Sequence, residues 1–466
     1  MDYDFAVIGG GSAGYAGART AVGMGLKTVV VDGAKEVGGL CILRGCMPSK
    51  TFLESARRFR MFGHAAEFGL SAGDVRYDQA AIQARKCRLV GEFADYRKSQ
   101  LEDGRFDFVR GHAEFVEPTR LRVHSLDGGT HDIQAKTFLI ATGSEISVPP
   151  VPGLAEAGCL TSDEMLNLTE LPKSLIVLGA GPVGLEMATY CNAFGSKVTV
   201  IQRGKRILTG TDLDVAEELE RAIRGAGISL YTGTGLLQLE RDGGKIKIVF
   251  EHGDEVCTLE ADVVMNALGR KPSLRGFETL GLEVRHGRIS VDTAQRTSLP
   301  HVYAAGDVCG GLEVVHIAIQ QAEIAAWNAA LQLGKANGTE KSMDYRLRLF
   351  GVFTEPQLAV VGASEAELEK MGIPFHAATY PFNDHGKSLV MGETAGIVKL
   401  IAERNTGEIL GGAVVGPEAT ELIHEVVVAM HYRATVADFA SIPHYHPTLS
   451  EIWTYPAEEL AEACGS

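Results

Sequence analysis

Short apolar runs, each stopped by glycine and followed by a helical stretch, recur along the chain and set its plan. Phe5-Ala-Val-Ile8 reads as a buried strand. It runs into Gly9-Gly-Gly11-Ser-Ala-Gly14 and a helical Tyr15–Gly25, and a second apolar strand, Thr28–Val31, ends at Asp32. Strand, glycine turn, helix and strand in that order predict a βαβ unit with parallel strands. The same order returns at Ser174–Leu178, Gly179-Ala-Gly181-Pro-Val-Gly184, a helix to Phe194 and the strand Lys197–Ile201. Between the two units, Lys50–Gly63 and Tyr77–Gly104 read as helices. From Phe106 to Ala135, alternating stretches with turns at Glu117-Pro118 and Asp127-Gly-Gly129 predict a small antiparallel ribbon. The strand Thr137–Ile140 then leads to Ala141-Thr142-Gly143. Downstream, Val263–Leu268 and His301–Ala305 are apolar strands that end at Gly269 and at Gly306-Asp307. His316–Leu333 is a long helix, and Ile397–Ala402, Ile409–Val415 and Glu418–Met430 alternate strands with a helix.

A chain of 466 residues has room for about three domains of roughly 150 residues. Proline-rich Pro149-Pro-Val-Pro-Gly153 is the clearest boundary. The net charge of −15 argues against nucleic-acid binding, which needs clustered Lys and Arg. Met1-Asp-Tyr-Asp leads straight into a strand without a basic n-region, and no apolar run is long enough to span a bilayer, so the expectation is a cytoplasmic protein without membrane contact. Six of the eight cysteines are scattered, as in a reduced cytosolic protein; Cys41 and Cys46 alone form a motif.

The glycine loops carry the first chemistry. In G-x-G-x-x-G, glycines permit a tight turn and let a pyrophosphate approach the N–H groups of the following helix, so Gly9, Gly11 and Gly14, and again Gly179, Gly181 and Gly184, are candidate dinucleotide loops. Asp32 stands where an acid accepts ribose hydroxyls. After the second loop the strand ends in Gln202-Arg203-Gly-Lys205-Arg206, with three cations in place of a carboxylate. That suits a 2′-phosphate, although a solvated basic turn has the same composition. Two dinucleotide sites in one chain point to hydride transfer.

Cys41 and Cys46 are five residues apart, so a slightly distorted helical turn can bring their sulfurs together. A thiolate beside a helix N-terminus and Lys50 is electrostatically favoured for exchange. Two buried, inert cysteines are the plain alternative. His446 and Glu451 can form a pair in which the carboxylate fixes the ring's tautomer. His444-Tyr-His446 lacks neighbouring ligands, and no metal site is expected.

The Cys41-x4-Cys46 motif between two nucleotide loops resembles the pyridine nucleotide-disulfide oxidoreductases, the flavoenzyme family of dihydrolipoamide dehydrogenase, glutathione reductase and mercuric reductase. Ala141-Thr142-Gly143, Gly269-Arg270-Lys-Pro272, Gly306-Asp307 and His446-Pro447-Thr448 with Glu451 are similar to family motifs in family order. The resemblance implies an α/β fold of two Rossmann-like domains, for FAD and NAD(P), with a C-terminal α+β dimerisation domain. The segments would be 1–150 and 271–343 for FAD, 151–270 for NAD(P) and 344–466 for the interface. It implies FAD on Gly9, Gly11, Gly14, Asp32, Lys50, Thr142, Gly143, Gly306 and Asp307, and a nicotinamide on Gly179, Gly181, Gly184, Gln202, Arg203 and Gly269. NADPH is favoured over NADH by Arg203, while Gly184 is commoner in NAD-linked members. Cys41 would be the interchange thiol, Cys46 the thiol facing flavin, and Lys50 and Glu186 a pair near the flavin. His446 would be the acid/base held by Glu451 and supplied by the other subunit of a homodimer.

The nearest branch is dihydrolipoamide dehydrogenase, with a lipoyl-type dithiol or disulfide as substrate, although Leu43 and Arg44 depart from its usual pattern and Pro182 replaces a bulkier residue of some members. Arg19 resembles a glutathione reductase feature, whereas Glu323 stands where that enzyme has an arginine and would repel anionic glutathione. Reduction of Hg(II), and a flavin transhydrogenase or oxidase that ignores the cysteines, complete the alternatives.

Overall fold

The computed structural model describes residues 2–465, which fall into two compact units. The first takes the chain up to Pro48, Ala84–Ser147 and Gly269–Asp344. At its centre, Tyr3–Ile8 pairs in parallel with Thr28–Asp32 on one side and Thr130–Ile140 on the other. Asp107–Glu117 and Val302–Ala304 extend the sheet outward. Phe5, Val7, Val30 and Leu139 are fully buried, as parallel strands covered on both faces require. Helices Ser12–Gly23 and Val315–Gln332 cover the sheet through small residues. A Cβ at Gly17 would lie 2.5 Å from Leu139 and 3.5 Å from the Cβ of Ala322, so only glycine allows that approach.

The predicted ribbon and the strand after it are one element. Thr130–Ile140 begins with exposed and buried positions alternating against Arg120–Ser125, then becomes continuously buried from Thr137, where it joins the parallel sheet. No breaker separates the two halves, because the backbone stays extended while its second face is covered. The first helix starts at Ser12, three residues earlier than the apolar pattern indicates. The parallel register brings Gly9, Asp32, Ala141 and Gly306 to the carboxyl ends of the strands, where α/β sheets bind ligands.

The second unit comprises Ser49–Gln83, Val148–Leu268 and the chain from Tyr345 onward. It holds a parallel sheet in the order Val263–Asn266, Ser174–Leu178, Lys197–Gln202, Ser229–Thr232, and an antiparallel three-stranded sheet formed by Thr234–Ala261. A five-stranded antiparallel sheet runs Leu349–Val352, Gln357–Gly362, Ile409–Gly416, Ile397–Glu403, Phe375–Pro381 and is covered by helix Ala419–His431. Among the described residues no helix is long and apolar enough to cross a membrane.

A buried lysine ties this unit together. Lys399, 1% exposed on the Ile397–Glu403 strand, donates to Asp214 at 2.8 and 2.9 Å, lies 3.2 Å from Asp212 and pairs with Glu365. The ammonium supplies the cation that three clustered carboxylates need. Burial alone would lower the lysine's pKa. Bonds to Asp214 and Glu365 and the charge of Asp212 outweigh it and raise the pKa above its ordinary value. The stabilisation is therefore complete below the ordinary lysine range and is lost as pH rises through the raised value. Lys399→Met should lower thermal stability at neutral pH by about 1–3 kcal/mol, since it leaves the enclosed Asp212 and the more exposed Asp214 and Glu365 clustered without their cation. The gap from wild type should narrow as the wild-type lysine deprotonates, which thermal melts across alkaline pH will read.

Candidate active site

The two glycine loops adopt one geometry. Gly9 and Gly179 have φ of +107° and +104°, and a Cβ on either would sit 2.4 Å from the carbonyl oxygen of Ala141 or Ala267. A Cβ on Gly14 or Gly184 would lie 1.8 or 2.2 Å from the carbonyl oxygen of Gly9 or Gly179, so the third glycine of each loop sets the packing of helix on strand. The middle glycines differ from both: a Cβ on Gly11 meets nothing nearer than 3.8 Å, and one on Gly181 meets nothing within 4 Å. Gly11 and Gly181 are also the N-cap residues of Ser12–Gly23 and Pro182–Ala193, and neither helix start has a side-chain cap. Open space beside bare N–H groups suits a pyrophosphate, so each loop fits a dinucleotide.

Around the first loop, Asp32 is buried and held by the backbone N–H of Ala34 at 3.2 Å and by Arg110 at 3.1 Å. Burial raises its carboxyl pKa, and those two partners oppose the rise. Asp307 accepts from the Ser144 hydroxyl at 2.5 Å, Gly306 donates to Gln321 at 2.8 Å, and Thr142 donates to the carbonyl of Ser273 at 2.8 Å. Gly143, Gly269 and Gly306 all have positive φ. In the second loop, Gln202 accepts from the backbone N–H of Ala180 at 3.0 Å, so its amide braces the glycine turn. Arg203 and Lys205 are exposed.

Cys41 and Cys46 lie in a near-disulfide arrangement within the first unit. The single distorted turn expected there is two helices, Gly39–Arg44 and Cys46–Gly63, broken at Gly45, whose φ and ψ are −125° and −112°. Cys46 is thereby the first residue of a helix, where the dipole favours a thiolate. The same helix carries Lys50. In the second unit Lys50 donates to both oxygens of Glu186, at 2.8 and 2.9 Å, and lies 4.6 Å over the Phe353 ring. Glu186, only 5% exposed at its side chain, also accepts from the Phe353 backbone N–H at 3.1 Å.

His446 exposes 79% of its side chain, while Glu451 beneath it is buried. Nδ1 of His446 lies 3.1 and 3.0 Å from the two carboxylate oxygens, so the ring carries its proton toward Glu451 and presents Nε2 outward. His444 belongs to a different carboxylate, Glu425, at 2.6 Å. Two residues escape a reading of the sequence. His385, buried against Glu451, sits in a segment with no motif. Arg97, on helix Gln79–Leu101, lies 4.2 Å over the Tyr15 ring with Nε and Nη1 shielded from water and without a partner among the described residues. Burial lowers its pKa, and it is close enough to Cys41 for their charges to interact. Arg19, one turn beyond Tyr15, pairs with Glu323 at 2.8 Å, so this carboxylate has a cation beside it. Cys191 and Cys309 are pushed up to about 12 by burial and are inert at neutral pH.

Family models match residues 3–322 as pyridine nucleotide-disulphide oxidoreductase and residues 350–457 as the dimerisation domain of that group. The dihydrolipoyl dehydrogenase of Bacillus subtilis is 34% identical, over 97% of this chain and 96% of its own. LpdA from Mycobacterium tuberculosis superposes with a TM-score of 0.87 at 28% identity, covering 98% of this chain and 99% of that one. The HOCl-induced flavoprotein disulfide reductase RclA from Escherichia coli superposes, as its Cu(II) complex, at 0.86 with 27% identity and the same coverage.

Gly11→Ala should fold, since its methyl meets no protein atom within 3.8 Å, yet purify with a reduced flavin-to-protein absorbance ratio because the methyl stands where phosphate must come. Gly14→Ala, with its Cβ 1.8 Å from a carbonyl oxygen, should fail to give soluble protein. Full flavin content in Gly11→Ala would contradict this geometry.

Proposed function

Because the chain belongs to the pyridine nucleotide-disulphide oxidoreductases, FAD-dependent enzymes here of the dihydrolipoamide dehydrogenase type, we propose that it exchanges electrons between NADP(H) and a lipoyl-type dithiol. The observation that carries the reading is the near-disulfide Cys41 and Cys46, with Cys46 at the start of the helix that bears Lys50. FAD, when bound, accepts and delivers the electron pair between thiols and nicotinamide. The chain does the rest. A substrate thiolate attacks Sγ of Cys41 and breaks the Cys41–Cys46 bond, releasing Cys46 as a thiolate. The second substrate thiol then gives its proton to His446 and attacks the mixed disulfide, releasing the cyclic disulfide and a Cys41 thiolate. Glu451 stabilises the resulting imidazolium, and Glu186 fixes Lys50, which would help to hold the flavin. The dimerisation domain supports a homodimer, and the exposure of His446 suits delivery to the other subunit.

In this reading residues 1–150 and 271–343 carry FAD, 151–270 NAD(P) and 344–466 the interface. Asp32, Thr142, Gly143, Gly306 and Asp307 serve the flavin's sugar and ribityl portions, and Gly269 closes the nicotinamide domain. Arg203 and Lys205, exposed beside Gln202, support NADPH over NADH. The scattered cysteines fit a reducing compartment, and we place the enzyme in the cytoplasm.

Arg97 favours a second reading, in which the disulfide is anionic: a shielded guanidinium near Cys41 attracts a carboxylate. The test is anaerobic reduction by NADPH and NADH in turn, followed by reoxidation with lipoamide, lipoate, oxidised glutathione or Hg(II). Faster reduction by NADPH and reoxidation by lipoamide are expected. Preference for lipoate over lipoamide, reduced about tenfold in Arg97→Met, would establish the second reading. Cys46→Ser should keep FAD and lose disulfide turnover; surviving turnover would overturn the dithiol path.

A further inference from the structure

Glu451 faces two histidines, and only His446 has a place in the chemistry above. The other, His385, has no exposed surface. Its Nδ1 lies 2.8 Å from the Ser388 hydroxyl, and its Nε2 lies 3.4 Å from the Glu451 carboxylate oxygen that His446 also approaches. Phe382 and Tyr455 enclose the ring edge-on. The titratable groups that face it are Glu451, His446 and Tyr455; its neighbour Asp384 accepts from the Tyr380 hydroxyl at 3.0 Å. Burial lowers the pKa of His385, against the opposing pull of Glu451, so the ring is neutral at neutral pH.

A neutral imidazole has one N–H, and the surroundings decide which nitrogen holds it. With the proton on Nδ1, the Nε2 lone pair would face a carboxylate in a dry site. With the Ser388 hydroxyl donating to Nδ1, the proton sits on Nε2 and points at Glu451. Among the described residues Nε2, buried, makes no closer contact that would satisfy it: it has no hydrogen bond of ordinary geometry, and the Glu451 oxygen at 3.4 Å is the acceptor it faces.

We propose that His385 is a positioning residue for the acid/base pair: its Nε2–H anchors the Glu451 carboxylate, with both oxygens turned to His446, and Ser388 sets its tautomer. This rests on the reading of His446 and Glu451 as that pair. A donor into the carboxylate also draws off some of its charge, which weakens the hold of Glu451 on the His446 proton and lets His446 act as a base at lower pH. His385 contacts neither substrate nor cofactor and acts through Glu451 alone.

The experiment follows reduction of the oxidised holoenzyme dimer by dihydrolipoamide in a stopped-flow instrument across pH, with reduction by NADPH as the internal control. His385→Phe should move the midpoint of the rising limb upward by about 0.5–1 pH unit, the scale of one hydrogen bond, and slow the reaction at neutral pH by roughly 3–10-fold. NADPH reduction should be unchanged. Ser388→Ala, a smaller change, should move the midpoint the same way by less, and His385→Gln, whose amide N–H can replace Nε2–H, should restore it. A midpoint unchanged in both His385→Phe and Ser388→Ala, or a loss uniform across pH that His385→Gln does not rescue, would overturn the proposal. His446→Gln separates the two levels: if it leaves dihydrolipoamide reduction intact, the acid/base reading fails; if it abolishes the reaction while His385→Phe keeps the wild-type profile, only this proposal fails.

Discussion

The carboxylate of Glu186 is the constraint on which the packing around Lys50 depends. Buried in the Pro182–Ala193 helix, it holds the Lys50 ammonium with both oxygens and takes the Phe353 N–H as well. Three segments far apart in sequence meet there: the helix that opens at Cys46, the helix of the second glycine loop, and the chain entering the C-terminal sheet. A carboxylate so enclosed is tolerated only when paired, and loss of either partner strands a charge at a cost of about 3–5 kcal/mol. Lys50 thus ties its helix to the helix of the second glycine loop.

Helix starts repeat as the working device of this chain. Two are left bare by glycine N-caps beside open space, and a third begins on a cysteine. In each the helix start presents partial positive charge, in the two glycine loops to the open space beside them and in the third to a sulfur. The protein handles anions with backbone more than with side chains, which is compatible with its large negative net charge.

Much of this was legible in the sequence because glycine spacing encodes geometry directly. Gly9, Gly11 and Gly14 each have a separate steric reason, and Gly179, Gly181 and Gly184 repeat all three, so two loops announce two dinucleotides. Cys41, Cys46, His446 and Glu451 were legible as local spacings. What stayed hidden depends on contacts across long sequence separations. The break at Gly45 follows from its backbone conformation, and the junction at Thr137 from a second face being covered. His385 finds Glu451 through the folding of the C-terminal sheet, and Glu323 has an ion-pair partner in Arg19, more than three hundred residues away in the chain. A charge read alone misleads when its partner is remote.

The central claim is that the two cysteines are a second electron store in series with the flavin. It is tested most directly by anaerobic titration of the holoenzyme with dithionite, counting electrons taken up per FAD. The account predicts four, two held by the Cys41–Cys46 pair and two by the flavin, falling to two in the Cys46→Ser protein. Uptake of only two electrons by the wild-type enzyme would contradict it and leave the cysteines outside the chemistry.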